Sequence, residues 1–359
     1  MKKQLFLILT LAILASVQNV FGQATHNSFP IPVTCPNGPL TPIAGKLYNY
    51  SVDVTPEGGN FQWWATTDQN FIAAGTNNID DMLLSPTTTP VGTDLLATSA
   101  SYGTTSLTDN VDITWSSATL NAALATPTFV VVQYDAPATG CANNLKVYEI
   151  DPQLAFTVDI RNLTATYDSV DYGVQIDTCA SEIESATYVV ATGDVAYNYG
   201  DNQLLFEVVL ANFSDEAEVS FRIEDLGLGA PGDQTVDLAW GYTPATAGGT
   251  AIAADLNEND VAGPITVTTN ETNTNIGVSI FVLATVNNNN YEGIVNTPFT
   301  LAVNATNAEG EDDVVNTDCA QQTDFEDNAT QNILARPEIQ STTPLVPGPG
   351  NAPFLPIEP

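Results

Sequence analysis

The sequence predicts an all-β protein: two β-sandwich domains in tandem, each closed by one disulfide. Three observations predict it. Apolar and polar residues alternate with a period of two in many short runs, such as Val111-Asp112-Ile113-Thr114-Trp115 and Val219, Phe221 and Ile223 among Glu218, Ser220 and Arg222. Turn residues punctuate those runs, as at Pro137, Gly140, Asn143-Asn144 and Asp151-Pro152. Finally, four cysteines, Cys35, Cys141, Cys179 and Cys319, lack any CxxC spacing.

The first 22 residues read as a secretory leader. Lys2-Lys3 precede an apolar run over 5–14, and Val20-Phe21-Gly22 supplies a cleavage site after Gly22. The run is too short to anchor well in a bilayer, and no later stretch is long and apolar enough to cross one. The mature chain is therefore expected outside the cell, at the cell surface, without membrane insertion. Its charge is extreme. The chain holds 42 acidic and 7 basic residues, a formal charge of −35. Losing Lys2 and Lys3 with the leader takes this to −37. A polyanion of this kind has no basic patch for nucleic acid or an anionic membrane. The charge keeps copies soluble and apart at low salt, and salt or divalent cations screen it.

In chain order, residues 23–160 form the first expected domain. Pro30, Pro32, Pro36 and Pro39 make an extended lead-in. Strands are expected over 47–54, 61–64, 111–115, 129–134, 145–150 and 156–160, with shorter ones at 71–74 and 95–99. Phe129-Val130-Val131-Val132 does not alternate, which suits a strand buried on both faces. The second domain, 161–325, carries strand patterns over 172–176, 187–191, 204–210, 218–224, 235–242, 265–269, 276–285 and 297–305. Eight short strands with turns between them suit a sandwich. Residues 326–359 read as an extended Pro-rich tail.

An even number of cysteines in an exported chain points to disulfides rather than zinc or redox chemistry. Three pairings are open. Cys35–Cys141 with Cys179–Cys319 is preferred, because each bond then closes within one domain.

Cys35, Trp63, Val111-Asp112-Ile113-Thr114-Trp115 and Gly140-Cys141 together resemble PKD-like, immunoglobulin-like modules of Bacteroidetes cell-surface proteins. The resemblance covers roughly residues 33–160. It implies an immunoglobulin-like fold with a spacer or adhesive role, and it brings no catalytic residues. Asp168-Ser169-Val170 resembles the O-glycosylation acceptor of exported proteins of that phylum, with Ser169 as the acceptor.

No catalytic set emerges. The only histidine, His26, lies in the lead-in, so a His-based triad lacks its base. A carboxylate pair of the glycosidase kind is not singled out. No cofactor is required. Asp255, Asn257, Asn259 and Asp260 offer oxygens at calcium-loop spacing, but Asp260 stands where an EF-hand has Gly and Thr266 where it has Glu. A solvated turn competes with a calcium site there. The eight acids between Glu309 and Asp327 read as a solvated, self-repelling face.

The leading expectation is a secreted, non-enzymatic structural or adhesive protein, in its sharper form a filament or surface-layer subunit. Its partners would be copies of itself or other surface proteins. Two extended ends, Gln23, Pro30 and Pro32 on one side and Arg336, Pro337 and Pro359 on the other, would add to a neighbour's open sheet edge. The alternative is a monomeric module that binds a glycan or a surface protein. An unrecognised hydrolase is a third reading.

Overall fold

A computed structural model describes residues 29–338, apart from 68, 70, 72–108, 138–142, 215, 228–233, 269–275, 318 and 323–324. The expected leader, Gln23, His26, the expected strand at 95–99, Gly140-Cys141 and Pro359 lie outside the described residues. The chain is all-β, with one regular α-helix among the described residues.

The first unit pairs β1 (Leu47–Ser51) with β3 (Asn110–Thr114), and sets β4 (Thr128–Asp135) between β2 (Asn60–Thr66) and β5 (Asn143–Ile150). All these pairings are antiparallel. Tyr48 and Tyr50 from β1, Val111 and Ile113 from β3, and Phe61 and Trp63 from β2 point into one core. Trp115 is fully buried in it, and its indole N–H donates to the Tyr50 hydroxyl at 3.2 Å. Adjacent Trp64 faces the other way, against Val131 and Phe129, as strand alternation requires.

Helix α1 (Ser117–Ala125) was not expected from the sequence. Its signal is local. The Ser116 hydroxyl caps it by accepting from the Thr119 N–H at 3.2 Å, and the alanine-rich run behind it favours helix. Only Leu120 and Ala123 supply a buried apolar face, so the amphipathic pattern is short.

The second unit is a sandwich of two five-stranded sheets. One contains β6 (Thr157–Leu163), β10 (Asp201–Ala211), β15 (Val278–Asn287), β12 (Thr235–Gly241) and β13 (Thr250–Leu256), in that spatial order. The other runs β14 (Val261–Thr268), β11 (Glu216–Asp225), β16 (Thr297–Asn307), β17 (Asp327–Leu334) and β7 (Ile176–Cys179). β7 joins β17 in parallel; the other pairings are antiparallel. The core between the sheets is built by alternation: Leu204, Phe206, Val208 and Leu210 from β10 meet Val219, Phe221 and Ile223 from β11 and Phe299, Leu301 and Val303 from β16. A hairpin of β8 (Ser185–Val189) and β9 (Asp194–Asn198) stands outside both sheets.

The strand reading needs four corrections. β13 was missed because its run of alanines gives no clear apolar stripe, and β9 because its alternation is only two apolar residues long, Val195 and Tyr197. β17 lies inside what read as tail; it is a sheet strand that sends Ala329 and Ile333 into the core. The strand expected at 172–176 gives way to β7, which overlaps it only at Ile176, because Gly173 at φ +75° and the Val174 N–H bond to Asp171 make a turn before it. β14 begins earlier than expected, reaching across Pro264. The ladder to β11 shifts register there, which is how an edge strand accommodates a residue with no N–H.

The disulfide expectation is also overturned. The bond runs Cys35–Cys319, across 284 residues, so neither Cys35–Cys141 nor Cys179–Cys319 forms. Cys179 is a free, exposed thiol at the end of β7. Local closure within each unit was the wrong criterion, because the lead-in leaves its own unit and lies on the other.

No helix among the described residues is long and apolar enough to cross a membrane. Phe221→Ala should lower the unfolding free energy by about 3–5 kcal/mol, read by chemical denaturation. A loss under about 1 kcal/mol would show that the two sheets do not share this core.

Candidate functional site

The lead-in is a strap. Phe29 lies beneath the Arg161 guanidinium, 4.1 Å from ring centroid to Cζ. Pro30 packs on Gly277, where a Cβ would come within 3.0 Å of the proline ring and 2.4 Å of Val209. Gly277 also has φ +89°, so only glycine fits both demands. The Ile31 N–H donates to Asp159 Oδ2 at 3.0 Å. Thr34 donates from its backbone N–H to the Asn316 carbonyl and from its hydroxyl to the Thr317 carbonyl. Cys35 then closes the strap onto Cys319. Both ends expected to reach other molecules are thus tied down at their roots: Pro30 here, and Arg336 at the far end of the chain. The Arg336 N–H donates to the Gly293 carbonyl and its guanidinium to the Tyr199 carbonyl and Ser181 hydroxyl. Pro32 and Pro337 are exposed.

Beneath the strap sit buried carboxyls. On β6, Val158 and Ile160 face the sandwich core, so Asp159 points the other way, yet it is 0% exposed because the strap covers it. The Asn316 amide donates to its second oxygen at 2.8 Å. Asp313, also 0% exposed, accepts from the Ala305 N–H. Asp327, 7% exposed, accepts from the Tyr172 hydroxyl at 3.1 Å. Burial pushes the Asp159 carboxyl up to about 7; the nearby Asp327 charge adds to this, and the Ile31 and Asn316 donors oppose it. Burial takes Asp313 to about 7 as well, against the Ala305 N–H. It takes Asp327 to about 6, against the Tyr172 hydroxyl. The Tyr172 phenol is itself pushed up, first by burial and then by Asp327 and Asp159.

The acidic stretch 309–327 is therefore not simply a solvated face. Val314 and Asp313 are buried, and the stretch folds back through bridges Thr306–Asp312 and Val314–Gln321. The sequence signal for this was Cys319 and the apolar Val314-Val315 in the middle of the acids. These carboxyls are covered, so they do not form an open two-carboxylate cleft. No group of three His, Cys, Asp or Glu among the described residues is arranged to hold a metal ion.

The other expected site residues lie apart from the strap. Asp255 is the penultimate residue of β13, at φ +55°, and its N–H donates to Asp237. The Asp260 carboxylate turns back to accept from the Asn257 N–H at 2.8 Å, while the Asn259 N–H donates to the Ile223 carbonyl. The loop is a hydrogen-bonded turn whose aspartate oxygen faces its own backbone. The Ser169 hydroxyl donates to Glu207 Oε2 at 3.0 Å, and Glu207 also holds Arg161 and Ser279. A glycan on Ser169 would have to break the first of these bonds.

The first unit carries an open cleft of about 470 Å³ between residues 51–56 and the β4–β5 hairpin. Tyr134, Tyr148, Lys146 and Asp53 are on its walls. Asp53 is the one carboxylate lining it among the described residues.

No protein-family model matches the chain, and no curated protein matches it. Among solved structures, the N-terminal domain of PorA aligns at TM-score 0.25 and 13% identity, covering 49% of this chain and 96% of that one. The CupB6 tip adhesin from Pseudomonas aeruginosa aligns at TM-score 0.26 and 8% identity, covering 58% and 60%. The full-length major pilin SpaD from Corynebacterium diphtheriae aligns at TM-score 0.18 and 12% identity, covering 83% and 63%.

Two predictions follow from the strap. Raised carboxyl pKa values mean that the folded state holds protons the unfolded state has released. Their stabilising contribution is complete below about pH 4, the ordinary carboxylate range, and is lost as pH rises to about 7. The thermal midpoint should fall across that window even at high salt, and Asp313→Asn should flatten the slope; a level profile in the wild type rejects the buried cluster. Separately, Cys35→Ser should cost up to about 5 kcal/mol, given the length of loop the bond closes. Peptide mapping of the oxidised protein should recover Cys35 and Cys319 in one linked species.

Proposed function

We propose that this chain is an exported, non-enzymatic structural or adhesive protein of the cell surface, able to assemble with copies of itself. One observation carries the reading. Both ends of the described chain are fixed to the second sandwich, Phe29 and Pro30 at β6 and β15, Arg336 at Tyr199 and Gly293. The first unit loops out between the strap and β6 and is closed off by Cys35–Cys319. Tension between the two ends would pass through the second sandwich and bypass the first unit. That division suits a protein in which one part sustains a connection and the other is displayed. The high negative charge keeps free copies apart until salt screens it.

A second reading, a monomeric module for a glycan or a surface protein, is favoured by the cleft with Tyr134, Tyr148 and Lys146 on its walls. The two are separated by mass photometry and negative-stain microscopy of residues 23–359 at high salt, with and without calcium. Ordered polymers are expected, and they should be lost when 339–359 are deleted with Arg336 left in place. A persistent monomer in every condition, together with hits on a glycan array, would replace assembly by the binding reading.

A further inference from the structure

The β8–β9 hairpin has an apolar face with nothing on it among the described residues. Its register sets Ala186 opposite Tyr197 and Tyr188 opposite Val195, so these four side chains share one face. Tyr188 is 60% exposed, Val195 and Tyr197 are exposed, and Val190 at the tip is 84% exposed. Tyr197 stacks on Tyr199 with centroids 5.4 Å apart and planes 14° from parallel, extending the face towards the sandwich. A two-stranded hairpin with no core is marginal in water.

Its base, in contrast, is firmly held. The Asn288 amide donates to the Ser181 hydroxyl, the Gly200 carbonyl and Asn202 Oδ1, and Asn202 donates to the Cys179 carbonyl. Arg336 completes this base, with its guanidinium 5.2 Å from the Tyr199 ring centroid. The last described residue, Glu338, is two positions on. The chain beyond it therefore starts at the edge of the aromatic face.

That continuation has the composition such a face accepts. It holds Pro344, Pro347, Pro349, Pro353, Pro356 and Pro359, with Leu345, Val346, Phe354, Leu355 and Ile357 among them. Polyproline II segments dock on exposed aromatic rings, and their unpaired carbonyls accept from tyrosine hydroxyls. Its charge fits too. Glu182, Glu184 and Asp194 surround the hairpin and would repel an acidic segment, whereas residues 339–359 carry a single charged side chain, Glu358. Extended at ~3.1 Å per residue, the segment reaches roughly 60 Å. The hairpin strands need about 17 Å. A tether this short gives an effective concentration in the millimolar range, which favours its own hairpin over a neighbour's.

We propose that the Pro-rich segment 344–357 lies along the Tyr188–Tyr197 face of its own β8–β9 hairpin. In the free chain it covers a surface that would otherwise be open to other molecules. Exchange of the segment between copies would turn the same contact into an intermolecular one.

Hydrogen exchange tests this in dilute solution where the chain is a monomer. Amides of residues 185–198 should exchange at least threefold faster when the chain is cut back to Glu338, and a synthetic 339–359 peptide should restore their protection. Chymotryptic cleavage at Phe354 should speed up severalfold in the double variant Y188S/Y197S, whose changes lie on the exposed face and leave both cores intact. Equal exchange with and without the segment overturns the proposal. Protection that grows with protein concentration also overturns it, assigning the face to a second copy's tail.

Discussion

Asp159 is where the two units become one molecule. It points off the sandwich from β6, accepts the Ile31 N–H of the strap and binds Asn316 of the acidic segment. Strap and segment then meet again at Thr34 with Asn316 and Thr317, and covalently at Cys35–Cys319. The carboxyl thus organises the two stretches that the disulfide joins. A second junction is independent of it: the Ser117 and Ser214 hydroxyls each accept the other residue's N–H, fixing the start of α1 to the turn after β10. With strap and serine pair both in place, the first unit is held at two points, although it belongs to neither sheet of the second.

Composition explains why the carboxyls beneath the strap have neutral partners. Seven bases serve 42 acids, and two of the seven, Lys2 and Lys3, lie outside the described residues. Arg161 is paired with Glu207 at 2.7 Å, Arg222 with Glu224 at 2.6 Å, and Arg336 sits on Tyr199. None of these is on Asp159, Asp313 or Asp327. A buried carboxylate held by amides and hydroxyls alone costs more than one held by a cation, and a proton is the cheapest way to remove that cost. The strap is consequently tightest where the carboxyls are protonated. Two of the three arginines sit instead where an end of the described chain meets the sandwich, Arg161 over Phe29 and Arg336 over Tyr199, while Arg222 lies over Phe325.

The legible parts of this fold were those with a repeating local signature. Val219, Phe221 and Ile223, or Val111, Ile113 and Trp115, show their strand and their buried face at once, because period-two alternation is a local property. β17 was hidden because its core-facing set, Asp327, Ala329, Gln331 and Ile333, is half polar; Gln331 is buried because its amide donates to the Leu205 carbonyl, a partner far away in sequence. The cysteine pairing and the buried aspartates were hidden for the same reason. Each depends on the strap crossing from one unit to the other, and proline spacing in the lead-in shows that it is extended without showing what it lies on. At the candidate calcium loop the spacing of the oxygens was legible, but not that one Asp260 oxygen accepts from the N–H of its own turn.

The strap also changes what the extended ends can do. An end that adds a strand to a neighbour must be free, yet Pro30 and Ile31 are already seated against β6 and β15. Released, they would expose Asp159 and vacate the contact on Gly277, so the lead-in is better placed to hold its own chain together than to reach another. Among the described residues, the other end is anchored at Arg336, on a base of hydrogen bonds shared with the β8–β9 hairpin. The division between the ends follows from packing. One end has a glycine, a carboxyl and a cysteine waiting for it on the sandwich, and the other has an exposed row of aromatic side chains beside the point where it leaves.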